Sequence, residues 1–522
     1  MEAPVLMFWL TVIIATCCCD QANIDEFKEQ NKVLRYTYRK KYRPAFHISA
    51  PLGWLNAPAG FVHYKKQFHI FYQYYPYNGA WGPMRWGHVV SRNLIDWYYS
   101  APALVPREYY ELHGCFAGSA VVHNEYLTLF YTGVKIMLNR TSRTQNIAVS
   151  TDGFYFEKHL YNPVIKKSPE DARNPKVWKF RNLWYMVLTS SNEAGKPKIT
   201  MYNSEDLFNW TYNGTILESL GDMGSLWEHP DFFELDGQYV LLFTANGLAP
   251  DLDRYRNLYQ TGYVLGKFDY MFSRFEDVEV SLSTFNELDY GHDFYGAQTM
   301  HAKDGRRLLI GWLGMWQSDF EELRDGWAGM LTLIRELTLG KSDRLLMQPL
   351  REIVNLRAEL LESAYYHPGE GFRAGTKYFE LMINGSNTIH DMSITFEWGG
   401  DRQFHIKYLA GRGHVMIDRG GPDGIRRAEW MPQRQVFWRI FMDSSSIELY
   451  CGEGEVVFTT RIYPKKGMFI RIEGEQSVHI LQYRLRRSVA YSEHLREHLR
   501  ELHELAVDSN RNVKRSPYCP HD

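Results

Sequence analysis

Charge imbalance, cysteine and long apolar runs are all scarce in this 522-residue chain. Lys and Arg number 59 against 61 Asp and Glu, a net charge of −2, which leaves no basic footprint for nucleic acid and no electrostatic anchor for a membrane. Three of the six cysteines (Cys17, Cys18, Cys19) crowd the first twenty residues, leaving Cys115, Cys451 and Cys519. An odd set allows at most one intrachain disulfide, and no metal-ligand spacing appears among them, so buried free thiols are expected. The pattern calls for no metal and no other cofactor. A neutral small ligand such as a sugar suits the composition better.

One mostly apolar run, Val5 to Cys19, is shorter than the roughly 20 residues that cross a bilayer. Residues 1–20 read as a secretory signal, although the leading MEAP carries Glu2 and no Lys or Arg. The mature chain is then expected to be secreted and extracellular, with no membrane contact, and sequons at Asn139, Asn209, Asn213 and Asn384 suit such a surface.

Long helical periods are missing as well. From His47 to about Gly340, short aromatic and β-branched runs alternate with Gly, Asn, Asp and Ser turns. FHIFYQYY, YLTLFYTG, LWYMVLTS, YVLLFTA and RLLIGWLG recur roughly every 50 to 60 residues. Several units end on a polar turn and an aromatic, as in SRNLIDW (91–97), STDGFYF (150–156) and NSEDLFNW (203–210). That period predicts about five four-stranded propeller blades over 47–340, after a lead segment at 21–46. Hairpin patterns then take over, for instance VFWRIFMDSSSIELYCGEGEVVFTTRIY, and predict a β-sandwich over 341–487. The fold class is all-β. Leu495, Leu499, Leu502 and Leu505 predict an amphipathic helix within a flexible tail at 488–522, with a basic pair at Lys514 and Arg515 open to processing. Within that helix, HLREH from His494 to His498 mimics a zinc-peptidase motif, but a tail helix with no domain around it reads as a solvated face.

WLNAPAG (54–60) followed by FHIFYQYYP resembles the opening signature of β-fructofuranosidases, glycoside hydrolase family 32, whose usual form is WMNDPNG with a strand ending FYQYNP. WGHVVSRNLIDW, GCFAGSA, RNPKV, WEHPDFFEL, DFYGAQT and GWAGMLTLIREL extend the resemblance over most of His47 to Arg486. It implies a five-bladed propeller with an axial sugar funnel, and a C-terminal sandwich. It also implies three carboxylates, a nucleophile, a transition-state stabiliser and an acid/base, which fall on Ala57, Asn174 and Glu228. Only the acid survives. A methyl cannot attack an anomeric carbon, and retaining hydrolysis needs two carboxyl groups about 5 to 5.5 Å apart. The neutral amide of Asn174 cannot offset oxocarbenium charge as aspartate does, although it can hydrogen-bond hydroxyls.

Asp171, Asp222, Asp231 and Asp293 are the carboxylates that might replace the nucleophile; a one-residue shift along a strand turns a side chain to the other face, which argues against Asp231. His229 stands where the family has Cys. A charged imidazole there would favour ionised Glu228, although neighbouring strand side chains usually point apart. Asn56, Gln73, Trp81 and Arg173 match family substrate contacts, and Phe116 lies in the pocket motif where FSGS becomes FAGS at Ala117. Ala59, in place of an Asn, suggests a more apolar pocket. Trp312 and Trp316 are candidates for the rim, with core packing the plainer role. Three functions fit: a fructosidase homologue that keeps at most a pocket for sucrose or another β-fructoside, an atypical active hydrolase, and a structural or interaction protein. Sugar binding without turnover, sucrose cleavage, or neither would separate them.

Overall fold

The computed structural model describes residues 41–491, apart from 166–168, 170, 277, 279, 342–343, 387, 400–402 and 466. The expected signal, most of the lead segment, the tail helix with HLREH, Cys519 and the Lys514–Arg515 pair lie outside the described residues.

Five separate sheets occupy Gly53 to Pro349 in chain order, and the first strand of each is an inner one: Gly53–Tyr64, Cys115–His123, Arg173–Phe180, Leu226–Leu235 and Tyr295–His301. Each inner strand packs on the next and the fifth returns to the first, closing a ring. The result is a five-bladed β-propeller. Tight hairpins build the blades. In blades I, II and IV the first two strands are joined by two residues with positive φ, Lys65–Lys66, Asn124–Glu125 and Asp236–Gly237, the turn whose twist matches paired strands.

The repeated polar turn is one structure used three times. Asn93, Asp152 and Asp206 each accept two backbone N–H groups through Oδ1, from Ile95 and Asp96, Phe154 and Tyr155, and Phe208 and Asn209. Trp97 and Trp210 then donate their indole N–H to the carbonyls of Leu94 and Leu207. A small side chain thus replaces a turn of backbone, and the aromatic pins it to the blade.

The fifth sheet runs on through Leu345–Pro349, past the boundary expected at 340, because that strand pairs along Arg335–Leu339. Two six-stranded sheets follow, from Arg357 to Leu485, packed face to face on a core that includes Trp438, Phe379, Ile394 and Ile470. Phe437–Asp443, Ser446–Cys451 and Val456–Arg461 form the meander expected from the DSSS and CGEGE turns. Val489–Tyr491 is a strand, not the start of a helical tail; it lies parallel on the outer edge of blade I and covers that exposed ladder.

Buried charge locks the sandwich to the propeller. His47 is held between Asp443 Oδ2 at 2.9 Å and Glu448 Oε1 at 3.0 Å, while Arg335 bonds Asp289 and Glu448 at 2.8 and 2.9 Å. Burial alone would discharge His47, but its two carboxylate partners outweigh that and push it up to about 9. Cys115 and Cys451 are buried free thiols.

Candidate active site

Every inner strand carries a bulge near its start. Pairing slips by a residue between Leu55 and Pro58, Phe116 and Gly118, Arg173 and Lys176, Glu228 and Asp231, and Tyr295 and Gln298. A bulge bends the strand and re-aims the extra residue, so five of them bring side chains together that plain alternation would send to opposite faces. Asn174, His229 and Gly296 occupy left-handed backbone in three of these bulges, with φ of 58°, 53° and 60°. Such geometry costs non-glycine residues roughly 1–2 kcal/mol, least for Asn. Gly296 has a second reason to be glycine. A Cβ there would lie 2.9 Å from the Ala57 methyl and 3.2 Å from the His229 ring.

Glu228 is the carboxylate of this end of the ring. Its Oε1 accepts from Arg173 Nη1 at 3.3 Å and its Oε2 from Tyr295 Oη at 2.7 Å. Tyr295 has one hydroxyl proton and spends it on Glu228. It therefore accepts from His229 Nε2, 3.2 Å away, which fixes the proton on that nitrogen and leaves the buried Nδ1 an acceptor without a partner among the described residues. Burial holds His229 down to about 4, so the ring is neutral and cannot act as the cation that would draw a proton from Glu228. Burial, then the nearby Glu228 charge, holds the Tyr295 hydroxyl well above its usual range. His229 and Glu228 do not part company as neighbouring strand residues normally do; the bulge puts both on Tyr295.

Asn174 donates its backbone N–H to Thr132 Oγ1 at 3.0 Å and accepts the His229 N–H on Oδ1 at 3.3 Å. Arg173 also donates Nε to the Asp171 carbonyl at 3.0 Å. Ala57 is fully buried against Gly296 and His229. Asn56 is buried with Oδ1 unpartnered among the described residues. Gln73 Nε2 donates to the Cys115 carbonyl at 3.2 Å. Trp81 is half exposed, its ring 5.6 Å from Phe116. An exposed indole beside a second aromatic offers a face for sugar C–H groups.

The more apolar pocket expected from Ala59 is corrected, while the plainer roles of Trp312 and Asp231 hold. Ala59 and Ala117 pack into the apolar core with Phe71, Trp86 and Tyr131, so neither makes the pocket more apolar. Trp312 is wholly buried against Trp54 and Phe320 and contributes nothing to a rim, whereas Trp316 is partly buried beside Tyr295 and Tyr259. Asp231 is consumed at the far end of its strand by Lys176 Nζ at 2.8 Å and the Thr299 N–H at 2.6 Å. Asp293 lies in the domain interface, bonded to Arg419 and the Arg461 N–H, and Asp222 accepts from the exposed Leu282 N–H. Asp171 alone of the four stands near the site. Its charge and that of Glu228 both act on Arg143, whose pKa is lowered by burial and then by Arg173. Sequence reading missed Arg143, Tyr259 and Tyr295. Tyr295 was within reach as the aromatic of DFYG; the other two carry no local signal.

A propeller ring whose inner-strand bulges gather a hydrogen-bonded carboxylate, amides and an arginine, with an exposed indole nearby, has the makings of a glycoside hydrolase. Residues 47–349 match the N-terminal domain of glycosyl hydrolases family 32 and residues 363–483 the family's C-terminal region. The chain belongs to glycosyl hydrolases family 32. Among its relatives is a sucrose-6-phosphate hydrolase of Zymomonas mobilis, 35% identical over 85% of this chain and 92% of that protein. A raffinose invertase of Escherichia coli is 33% identical over 81% of this chain and 90% of its own length. The structure of a Bombyx mori β-fructofuranosidase is 41% identical with a TM-score of 0.81, covering 88% of this chain and 99% of that one; an aspartate-to-alanine mutant of it, in complex with sucrose, matches equally well.

Proposed function

We propose that this chain takes a β-fructoside such as sucrose or raffinose into the funnel end of its propeller and hydrolyses it far more slowly than a competent member of its family. One observation carries the reading. Where a retaining fructosidase needs a nucleophilic carboxylate, Ala57 presents a buried methyl next to Gly296. Glu228 alone can move a proton but cannot hold a glycosyl ester, and Asn174 supplies an amide dipole in place of a charge.

Binding stands on firmer ground than turnover. Asn56, Gln73, Trp81, Phe116 and Arg173 supply donors, acceptors and an aromatic face, and a relative with an aspartate-to-alanine change forms a sucrose complex. We read the ligand as held weakly, with a dissociation constant of order mM, about −4 kcal/mol. An active hydrolase that recruits a substitute carboxylate would draw on Asp171, the one candidate beside Arg143 and Glu228.

The test pairs calorimetry with a hydrolysis assay on the purified protein. Sucrose and raffinose should bind at ~10 mM, while turnover stays at least ~10⁴ below ordinary enzymatic rates of ~1 to 10³ per second. Turnover in that range, abolished by Glu228→Gln, would overturn the loss of hydrolysis. No binding at ~50 mM would show the pocket to be vestigial.

A further inference from the structure

The five inner strands have two ends, and only one carries the sugar residues. At the other, the last residues of the same strands surround a cavity of about 550 Å³, walled by Trp178, Phe180, Trp184, Tyr239 and Tyr270. This wall is built as one unit: Phe180 stacks on Tyr270 at 3.9 Å, and Trp178 donates its indole N–H to Tyr270 Oη at 3.1 Å.

The charges around the cavity do not cancel in place. Lys176 is neutralised by Asp231, which also takes both donors of Thr299. Arg307 feels the same Asp231 charge but has no ion pair of its own among the described residues. Its guanidinium lies 4.6 Å over the Phe233 ring, and its buried Nε has no hydrogen-bond partner among the described residues. Lys179 sits over the Trp184 ring at 5.3 Å on the same wall, against which Glu234 is the one acidic side chain lining the cavity. A half-buried guanidinium with an unsatisfied N–H favours an anion beside it, because a buried donor left unpaired loses its hydrogen bond to water and gains none in return. Guanidinium forks bind phosphate and carboxylate oxygens in pairs, and aromatic walls hold the ring of a small metabolite.

We propose that this cavity, at the opposite end of the propeller from Glu228, is a binding site for a small organic anion, with Arg307 taking the phosphate or carboxylate and the Trp178 and Tyr270 wall taking the ring that bears it. The site needs no residue of the fructoside pocket. Its fate is therefore independent of whether the chain hydrolyses sucrose.

Calorimetry on the full chain with glucose 6-phosphate, benzoate, inorganic phosphate and glucose tests it. At least one of the two ring-bearing anions should bind with one-to-one stoichiometry at ~10 mM or below, more tightly than inorganic phosphate; glucose should not compete with it. Glu228→Gln should leave this binding unchanged, and Arg307→Gln should weaken it at least ~10-fold, with Arg307→Lys in between. Val122→Trp, which adds bulk to the lining from an exposed position and leaves the Arg307 side chain itself unchanged, should block it too and guards against a misfolded Arg307 variant. Which ring-bearing anion responds separates a phosphate from a carboxylate preference. Failure of both to bind at ~50 mM, or binding that survives both Arg307→Gln and Val122→Trp in folded protein, would overturn the site.

Discussion

Rebuilding the missing reagents tests whether the defect is confined to two side chains. Asn174→Asp should be nearly free of structural cost: Oδ1 would still accept the His229 N–H, the backbone N–H would still reach Thr132 Oγ1, and a φ of 58° suits Asp about as well as Asn. Ala57→Asp has room only because Gly296 has no side chain, and the new carboxylate would grow beside the His229 ring. Three carboxylates would then face Arg173, with Arg143 close by. Their mutual repulsion should raise one carboxyl pKa, which is what a general acid needs. Losing an essential nucleophile costs about 10⁴-fold or more, so the double variant should gain at least ~10³ to 10⁴ in sucrose turnover, on the order of 4–5 kcal/mol of transition-state stabilisation. Each single variant should gain less than ~10-fold, since groups that act as a unit are not additive. The assay is glucose release from sucrose, with Glu228→Gln added to the double variant to expose contaminating invertase. A folded double variant within ~10-fold of the parent, with unchanged sugar affinity, would refute the idea that only the reagents are missing.

Two further predictions concern the buried charges that hold the frame. His47, pushed up to about 9 from 6.5, stabilises the fold fully below about pH 6.5 and loses that contribution as pH rises through 9, so the unfolding free energy from urea titrations should fall across this window, by on the order of 3 kcal/mol. His47→Gln should flatten that slope; an unchanged slope would remove the imidazolium from the account. Glu287 runs the same way at lower pH: burial raises it to about 7 from 4.5, so the proton it holds in the folded state favours folding below about pH 4.5 and that advantage disappears as pH rises through 7. Glu287→Gln keeps an acceptor for the Tyr255 N–H, so it should be more stable than the parent above pH 7, by at most about 3 kcal/mol, with the difference vanishing towards pH 4.5. Equal melting temperatures at pH 8 would count against it.

Much of the architecture is written in short-range patterns. Alternating aromatic runs and the Ser/Asn/Asp turn recur because each blade solves the same local problem, and the turn's hydrogen bonds span three residues or fewer. The positions of Ala57, Asn174 and Glu228 were readable as motif positions for the same reason. What eluded the sequence were features set by bulges and by distant pairing. A rule of alternating faces places His229 away from Glu228, yet one inserted residue hangs both on Tyr295, 66 and 67 residues away. The same rule correctly set Asp231 apart from the sugar end, though nothing local announces that Lys176 would claim it. The Val489–Tyr491 strand was missed because its partner lies in blade I, whereas the boundary at 340 merely split a local hairpin between Arg335–Leu339 and Leu345–Pro349.

The bulged backbone around positions 57 and 174 stands without a carboxylate at either, and this has a physical reason. The bulges at Asn174 and His229 hold non-glycine residues in left-handed backbone, a cost of roughly 1–2 kcal/mol each that local propensity would not sustain. Their neighbours sustain it. Asn174 and His229 are tied to each other, to Thr132 and, through Tyr295, to Glu228, and the inner strands carrying them are each packed in a ring between two others. Such a frame does not depend on carboxylates at 57 and 174. Removing them relieves repulsion around Glu228, and a buried methyl at 57 needs no hydrogen-bond partner. The trade is the usual one between a reactive, mutually repelling cluster and a quieter, better-satisfied one. Alanine at 57 and asparagine at 174 are therefore compatible with the bulged frame, in which Arg173 and Tyr295 still donate to Glu228.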